Sequence, residues 1–405
     1  MTKKKTIYDR LFDIFFIAYV TCVFCFNDST SGINYVYISM ILVTGIAFLS
    51  LISGGTRLNV KAELVLLLLY LAYGCLVSMK AVYSVPVALE RARTVALCIV
   101  PSIIICHYLI IRGNNDVLPL AFAVGGFIMS IYVIVHYGGL SAFYHQASKE
   151  GTRLGGEIIQ TNSLGMAAAY AVVVFYYYML KKKQIYLGAF AVLPFIVAMA
   201  SGSRKALIIV ALGVVMLSFL MGSGGRFTPS KVIKMLLILV LIALVAFFIS
   251  NLPFMATVLE RMQGMFDVIK TGKGDHSAWV RGKMTEVGLK EFPNHPVFGI
   301  GFNNAKYLNV RYTGYFTYLH NDFIEQLVNL GMCGFILFYG NLLLILKKHI
   351  AALRKGNLSI VLSLTLLCIF LINIVGNVVY YSKTTYLFLI YWISNVYILK
   401  GDKSL

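Results

Sequence analysis

Apolar stretches of bilayer-crossing length recur along the whole chain, separated mostly by short polar connections, and this rhythm predicts an all-α polytopic membrane protein. The runs fall at about 11–26, 34–53, 62–79, 93–111, 117–137, 159–180, 185–200, 206–222, 235–251, 320–346, 357–378 and 384–399, which makes about 12 transmembrane helices. One long polar interval, residues 252–319, separates the ninth run from the tenth. Structureless loops of that length are uncommon, and this one carries helical spacing of its own. Val258, Leu259, Met262, Met265, Phe266 and Ile269 recur within 256–270, and Trp279, Val280, Met284, Val287 and Phe292 within 279–292. Two amphipathic helices lying over the membrane-water boundary are expected there. The turn-rich Pro293-Asn294-His295-Pro296 and Phe298-Gly299-Ile300-Gly301 then close the segment. The chain is read as one integral membrane domain over 1–405, with 252–319 as a loop subdomain within it.

Composition excludes a soluble enzyme. Of the 405 residues 59% are hydrophobic and 13% charged, whereas a soluble domain carries about 25% charged residues. The charges are also lopsided, with 35 Lys plus Arg against 16 Asp plus Glu, for a net +19. Placing the N-terminus inside puts 19 of the 35 basic residues on the inner side, with an inner excess of about +14 against +5 outside. Both termini are therefore expected in the cytoplasm. Lys3, Lys4, Lys5 and Arg10 precede the first run without a small-residue cleavage site after it, so that run is expected to stay as a helix. The seven cysteines all fall in apolar runs, which predicts no disulfide framework. Cys22 and Cys25 form a C-x-x-C whose simplest role is packing.

Three places could hold chemistry. The connection between the seventh and eighth runs reads Ser201-Gly202-Ser203-Arg204-Lys205-Ala206. Backbone N–H groups at the helix mouth, the Ser203 hydroxyl, Arg204 and Lys205 can converge there on one anion, with phosphate the natural guess. The same residues also suit an interfacial Arg-Lys pair that anchors the helix. The tenth run opens with Leu319-His320-Asn321-Asp322-Phe323-Ile324-Glu325. His320 suits a general base, since an imidazole titrates near about 6.5, with Asp322 and Glu325 as further bases or as groups that orient it. A helix cap built from Asn321 and Asp322, with His320 a bystander, fits the same residues. Arg153 precedes the sixth run, whose mouth reads Gln160-Thr161-Asn162-Ser163. Arg153, Arg204 and Arg281 together offer three guanidiniums suited to phosphate oxygens. No D-x-D pair, H-x-x-x-H or outer cysteine supplies a metal cage, no cofactor motif stands out, and no phosphate-binding P-loop is found.

Taken in order, these features resemble the O-antigen polymerase and ligase superfamily. The resemblance rests on the span layout, the long loop after the ninth run, S-G-S-R-K-A at 201–206, Arg281 followed by P-x-F-G-x-G from Pro296 to Gly301, and the motif beginning at His320. The sixth-run mouth departs from it, with Gln160-Thr161-Asn162 where members often carry a Pro-Asn pair. The resemblance implies a metal-independent glycosyltransferase at the periplasmic face of the bacterial inner membrane. Such an enzyme would move a glycan from undecaprenyl pyrophosphate onto an acceptor glycan. Arg204 and Arg281 would hold the pyrophosphate and His320 would activate the acceptor hydroxyl, with Arg153, Asn162, Ser203, Lys205 and Asn321 binding substrate. Implied partners are the lipid-linked oligosaccharide, the acceptor glycan, membrane lipids and a candidate chain-length regulator, with no nucleic acid. A polymerase joining lipid-linked repeats is favoured, and a ligase acting on lipid A core is the alternative. A lipid-linked glycan flippase is a second alternative, although its usual paired halves are not evident here. A structural scaffold would leave His320 and the arginines unexplained.

Overall fold

The computed structural model describes residues 6–27, 34–55, 61–149, 152–223, 259–260, 263–264, 267, 270 and 276–399. Among these residues the chain is all-helical, with no strand. In chain order the helices are α1 (Ile7–Phe26), α2 (Tyr35–Ser53), α3 (Ala62–Ser78), α4 (Val85–Arg112), α5 (Val117–His136), α6 (Leu140–Ala147) and α7 (Thr161–Lys182). There follow α8 (Tyr186–Ala200), α9 (Arg204–Ser223), α10 (His276–Glu291), α11 (Ala305–Thr313), α12 (Asp322–Arg354), α13 (Val361–Asn373) and α14 (Lys383–Leu399). Seven stretches among the described residues are long and apolar enough to cross a bilayer: α2, α4, α5, α7, α9, α12 and Leu358–Gly376, which contains α13. The apolar α3 and α8 are shorter. The expected run at 235–251 lies outside the described residues, as does most of the helix expected over 256–270. This is a multi-pass membrane protein.

The chain forms two compact units. The first comprises Met1–Gly55, Arg112–Gln263 and Ala352–Ile369. Within it α1 packs against α2 and α5, and α7 packs against α5, α8 and α9. Thr6 starts α1 with a capping box, its hydroxyl accepting from the Asp9 N–H at 3.2 Å while its own N–H donates to Asp9. The acids of α1 are answered by a bidentate fork from Arg112, at 2.6 and 2.9 Å from the two Asp13 oxygens. Small residues set the closest approaches. A Cβ on Gly126 would lie 2.4 Å from that of Ala171, so α5 and α7 meet nearly backbone to backbone.

The second unit comprises Thr56–Ile111, Gly264–Ala351 and Phe370–Leu405. Its long helix α12 is interrupted at Gly331, which adopts φ 63° and ψ −169°. The interruption frees backbone groups, and the segment 296–301 lies in the gap to take them. Met332 N–H donates to Pro296 O at 2.8 Å, Ile300 N–H to Val328 O at 3.0 Å and Gly301 N–H to Asn329 O at 2.8 Å. The opposite edge of this segment is held as well, because Val82 N–H donates to Ile300 O at 3.0 Å. Asn304 extends the clamp by accepting from the Tyr83 and Ser84 N–H groups at 3.1 and 2.8 Å. Elsewhere in the unit the buried Glu63 of α3 accepts from Lys348, and from the Tyr397 hydroxyl at 2.7 Å.

The helix expected over 279–292 forms as α10, but its apolar stripe faces protein. Val280, Met284 and Val287 pack with Ile300, Leu308, Leu319, Ile324 and Val328. The apolar residues of this helix thus meet protein at the start of α12, where an amphipathic helix lying on the membrane would turn them to lipid. Trp279, expected on that stripe, is 48% exposed.

The docked segment generates a test. Gly299 has φ 73°, and a Cβ there would lie 2.5 Å from backbone atoms of residues 329–331. Gly299→Ala is expected to lower stability by about 2 kcal/mol or more, read as earlier loss of the monodisperse peak when the detergent-purified protein is heated. Wild-type melting would refute the clamp.

Candidate functional site

In the first unit, the chain before α7 crosses the turn between α8 and α9. Leu154 N–H donates to Ala200 O at 3.2 Å, which fixes Arg153 over the turn. From there Arg153 donates through Nη2 to Asn162 Oδ1 at 2.8 Å and through Nε to Ser201 O at 3.2 Å. Gly202, at φ 62°, provides the room, since a Cβ would come within 3.1 Å of Arg153 Cγ. Ser201 and Ser203 are buried, and Arg204 and Lys205 are half-buried on the first turn of α9. Among the described residues the Ser203 hydroxyl is buried without a hydrogen-bond partner. The structure thus brings Arg153, Asn162, Ser203, Arg204 and Lys205 together around the start of one helix. Backbone N–H groups, a hydroxyl and cations in that arrangement suit an anion.

In the second unit, His320 occupies the left-handed region at φ 56°. A non-glycine residue there is strained, and both neighbours hold it. Leu319 is fully buried in the cluster under α10, and its N–H donates to Glu325 Oε2 at 2.8 Å. Asn321 caps α12, its side chain accepting from Phe323 N–H at 3.1 Å and its carbonyl from Glu325 N–H at 2.9 Å. The imidazole between them is half-buried, its centroid 4.2 Å from the Tyr318 ring.

The cap expected from Asn321 and Asp322 is made by Asn321. Asp322 instead accepts from Val379 N–H at 2.6 Å, Tyr380 N–H at 3.2 Å and the Tyr339 hydroxyl at 2.5 Å. Glu325 accepts from Asn329 Nδ2 at 2.8 Å, and Asn329 Oδ1 accepts from Ala305 N–H at 2.9 Å. Both carboxylates are fully buried and brace the chain on either side of His320. Arg281 is half-buried on α10, whose apolar face packs against Leu319.

Sequence reasoning missed Arg91. Its guanidinium lies 3.8 Å over the Tyr381 ring. Burial pushes the Tyr381 phenol upward, with Arg91 opposing and Tyr318, Glu325 and Asp322 adding to the rise. These groups therefore share one electrostatic neighbourhood with Tyr318 and, through it, His320. Arg91 was legible only as one more basic residue before the fourth run.

Residues 189–339 match the family model described as O-antigen ligase. That match supports the resemblance to the O-antigen polymerase and ligase superfamily. The matched segment contains the α8–α9 turn, Arg281 and the whole His320 motif, whereas Arg91, Arg153 and Asn162 precede it. No curated protein matches the chain. Among the described residues no group of three or more His, Cys, Asp or Glu side chains is arranged to hold a metal ion.

Glu325→Gln tests the bracing. An amide cannot accept from both Leu319 N–H and Asn329 Nδ2 with the same two atoms, so one buried donor loses its partner at about 1–3 kcal/mol. The variant is expected to melt earlier and to lose glycan-transfer activity at temperatures where it is still folded. Wild-type melting together with wild-type activity would remove the carboxylate from this role.

Proposed function

We propose that the protein is a surface-polysaccharide polymerase. It transfers a growing glycan from undecaprenyl pyrophosphate onto the next lipid-linked repeat at the periplasmic face of a bacterial inner membrane, with both termini in the cytoplasm. The observation that carries glycan transfer, common to polymerase and ligase, is the family match over 189–339, which contains Arg204, Arg281 and His320 in one segment, while the polymerase acceptor follows the resemblance of S-G-S-R-K-A at 201–206. The orientation rests on the inner excess of basic residues.

In this mechanism an acceptor hydroxyl oxygen attacks the anomeric carbon of the donor sugar. The new C–O bond forms as the bond to the carrier phosphate breaks, and that electron pair leaves on the pyrophosphate. His320 takes the hydroxyl proton as the bond forms and later returns it to solvent. Arg204 and Arg281 stabilise the charge that develops on the leaving group, so the chemistry needs no metal. Arg153 and Asn162 support the anion site with Ser203 and Lys205, and Asn321 fixes the backbone under His320. The rigid cap and the strained backbone at His320 support its role, because positioning of a base to within a fraction of an ångström is what such a step requires. A chain-length regulator is the proposed protein partner. The family description itself, O-antigen ligase, favours the second reading, in which the acceptor is lipid A core.

Deleting the gene and resolving the surface glycan on a gel separates these readings. A single repeat on the core is expected for a polymerase. Full-length chains left on the carrier would indicate the ligase, and carrier-linked units trapped inside the cell would indicate a flippase. His320→Ala is expected to slow transfer about a hundredfold or more with protein level unchanged, and a normal polymer length distribution would refute the base. Arg204→Lys and Arg281→Lys are expected to cripple transfer, because a point charge does not reproduce the planar fork. Chelator is expected to leave transfer unchanged, whereas inhibition reversed by a divalent ion would contradict the metal-free step.

A further inference from the structure

The second unit holds a cavity of about 510 Å³ beside α10, with further lining residues at the end of α11 and just beyond it. Its size suits a small ligand or a short oligomer. The walls combine Trp279, Tyr312 and Tyr315 with Lys290, Glu291 and Asn294. The three aromatic rings stay 48%, 64% and 47% exposed, although the buried cluster of Val280 and Met284 lies on the same helix as Trp279. Two of the rings are held in place. His276 stacks on Trp279 at 6.1 Å and 23°, and its Nε2 lies 3.4 Å from the Tyr315 hydroxyl.

Charge within the wall balances, with Lys283 and Lys290 against Glu286 and Glu291. Glu286 receives Lys283 at 3.0 Å and Lys290 at 2.8 Å, and the two ammonium groups hold its carboxyl down to about 2. An anionic ligand would meet the Glu286 and Glu291 carboxylates in the wall, whereas a neutral one meets no such repulsion. Asn294 donates to Glu291 at 3.3 Å, leaving amide and carboxylate oxygens at the rim as acceptors. A sugar ring matches such a wall, with its C–H face against an aromatic ring and its hydroxyls towards planar polar groups. Aromatic residues of a bilayer belt also stand exposed, but those need no concave wall shared with an amide and a carboxylate.

We propose that this cavity is a glycan subsite that seats an uncharged stretch of oligosaccharide, with Trp279 and Tyr312 stacking on sugar faces. The inference rests on the glycan-transfer reading above and adds where the sugar, as distinct from its pyrophosphate, is held.

The chain has two tryptophans, and Trp392 is fully buried, so fluorescence changes on ligand addition report on Trp279. The probe is phosphate-free oligosaccharide released by mild acid from the cell's own surface polymer, titrated into the full-length protein in detergent. A saturable change is expected in the wild type, absent in Trp279→Phe and about tenfold weaker in Tyr312→Ala. No saturable change with any oligosaccharide length, or the same change in Trp279→Phe, would overturn the proposal. A response to phospholipid vesicles in place of sugar would make the aromatics a membrane anchor. A response to inorganic pyrophosphate in place of sugar would make the cavity part of the carrier clamp. Binding is read without turnover. A protein whose deletion alters the surface glycan but which fails this titration loses the subsite alone, whereas an unchanged glycan on deletion removes the transfer reading.

Discussion

A helix interrupted inside a membrane protein leaves N–H and C=O groups that lipid cannot satisfy, each costing several kcal/mol if left open. The break in α12 at Gly331 poses that problem, and the segment 296–301 answers it by hydrogen-bonding to residues 328, 329 and 332. Much of the second unit follows from this repair. The docked segment must lie close to the α12 backbone, which requires glycine at 299 and 331. It also fixes where the loop ends, and so directs Phe302, Asn304 and α11 onto the rest of the unit.

Buried carboxylates complete the frame. Glu325 ties the Leu319 N–H to Asn329, and Asn329 ties α12 to the first residue of α11. Asp322 ties the same turn to the backbone of 379 and 380. Burying two acids is costly unless each oxygen is used, and here backbone and side-chain donors reach them. His320 stands between the two anchored ends, in a conformation that a free loop would not keep.

The sequence showed the membrane character, the helical period of 279–292 and the clustering of candidates into short motifs. It could not show which face of α10 was covered by protein, because an apolar stripe looks the same whether its partner is lipid or Leu319. Nor could it separate Asn321 from Asp322 as the cap: both are good capping residues, and only the donors at 379 and 380 decide between them. The glycines of P-x-F-G-x-G were visible as a turn signal, yet their reason is a backbone contact with a helix break that periodicity does not reveal. Arg91 was invisible for a related cause, since its partner Tyr381 is remote in the chain. Arg153 and Asn162 were legible as neighbours of an anion site, and the structure joins them directly to the Ser201 turn.

The division of the chain has a consequence for its synthesis. The second unit is assembled from three stretches, so α3 and α4 leave the ribosome long before α12 exists. At ordinary elongation rates that interval is on the order of ten seconds or more. Throughout it, Glu63 waits in an apolar helix without Lys348 or Tyr397, the partners that later receive it. The partners of Glu63 thus arrive with α12 and α14, so this buried contact can close only when the last helices of the chain are in place.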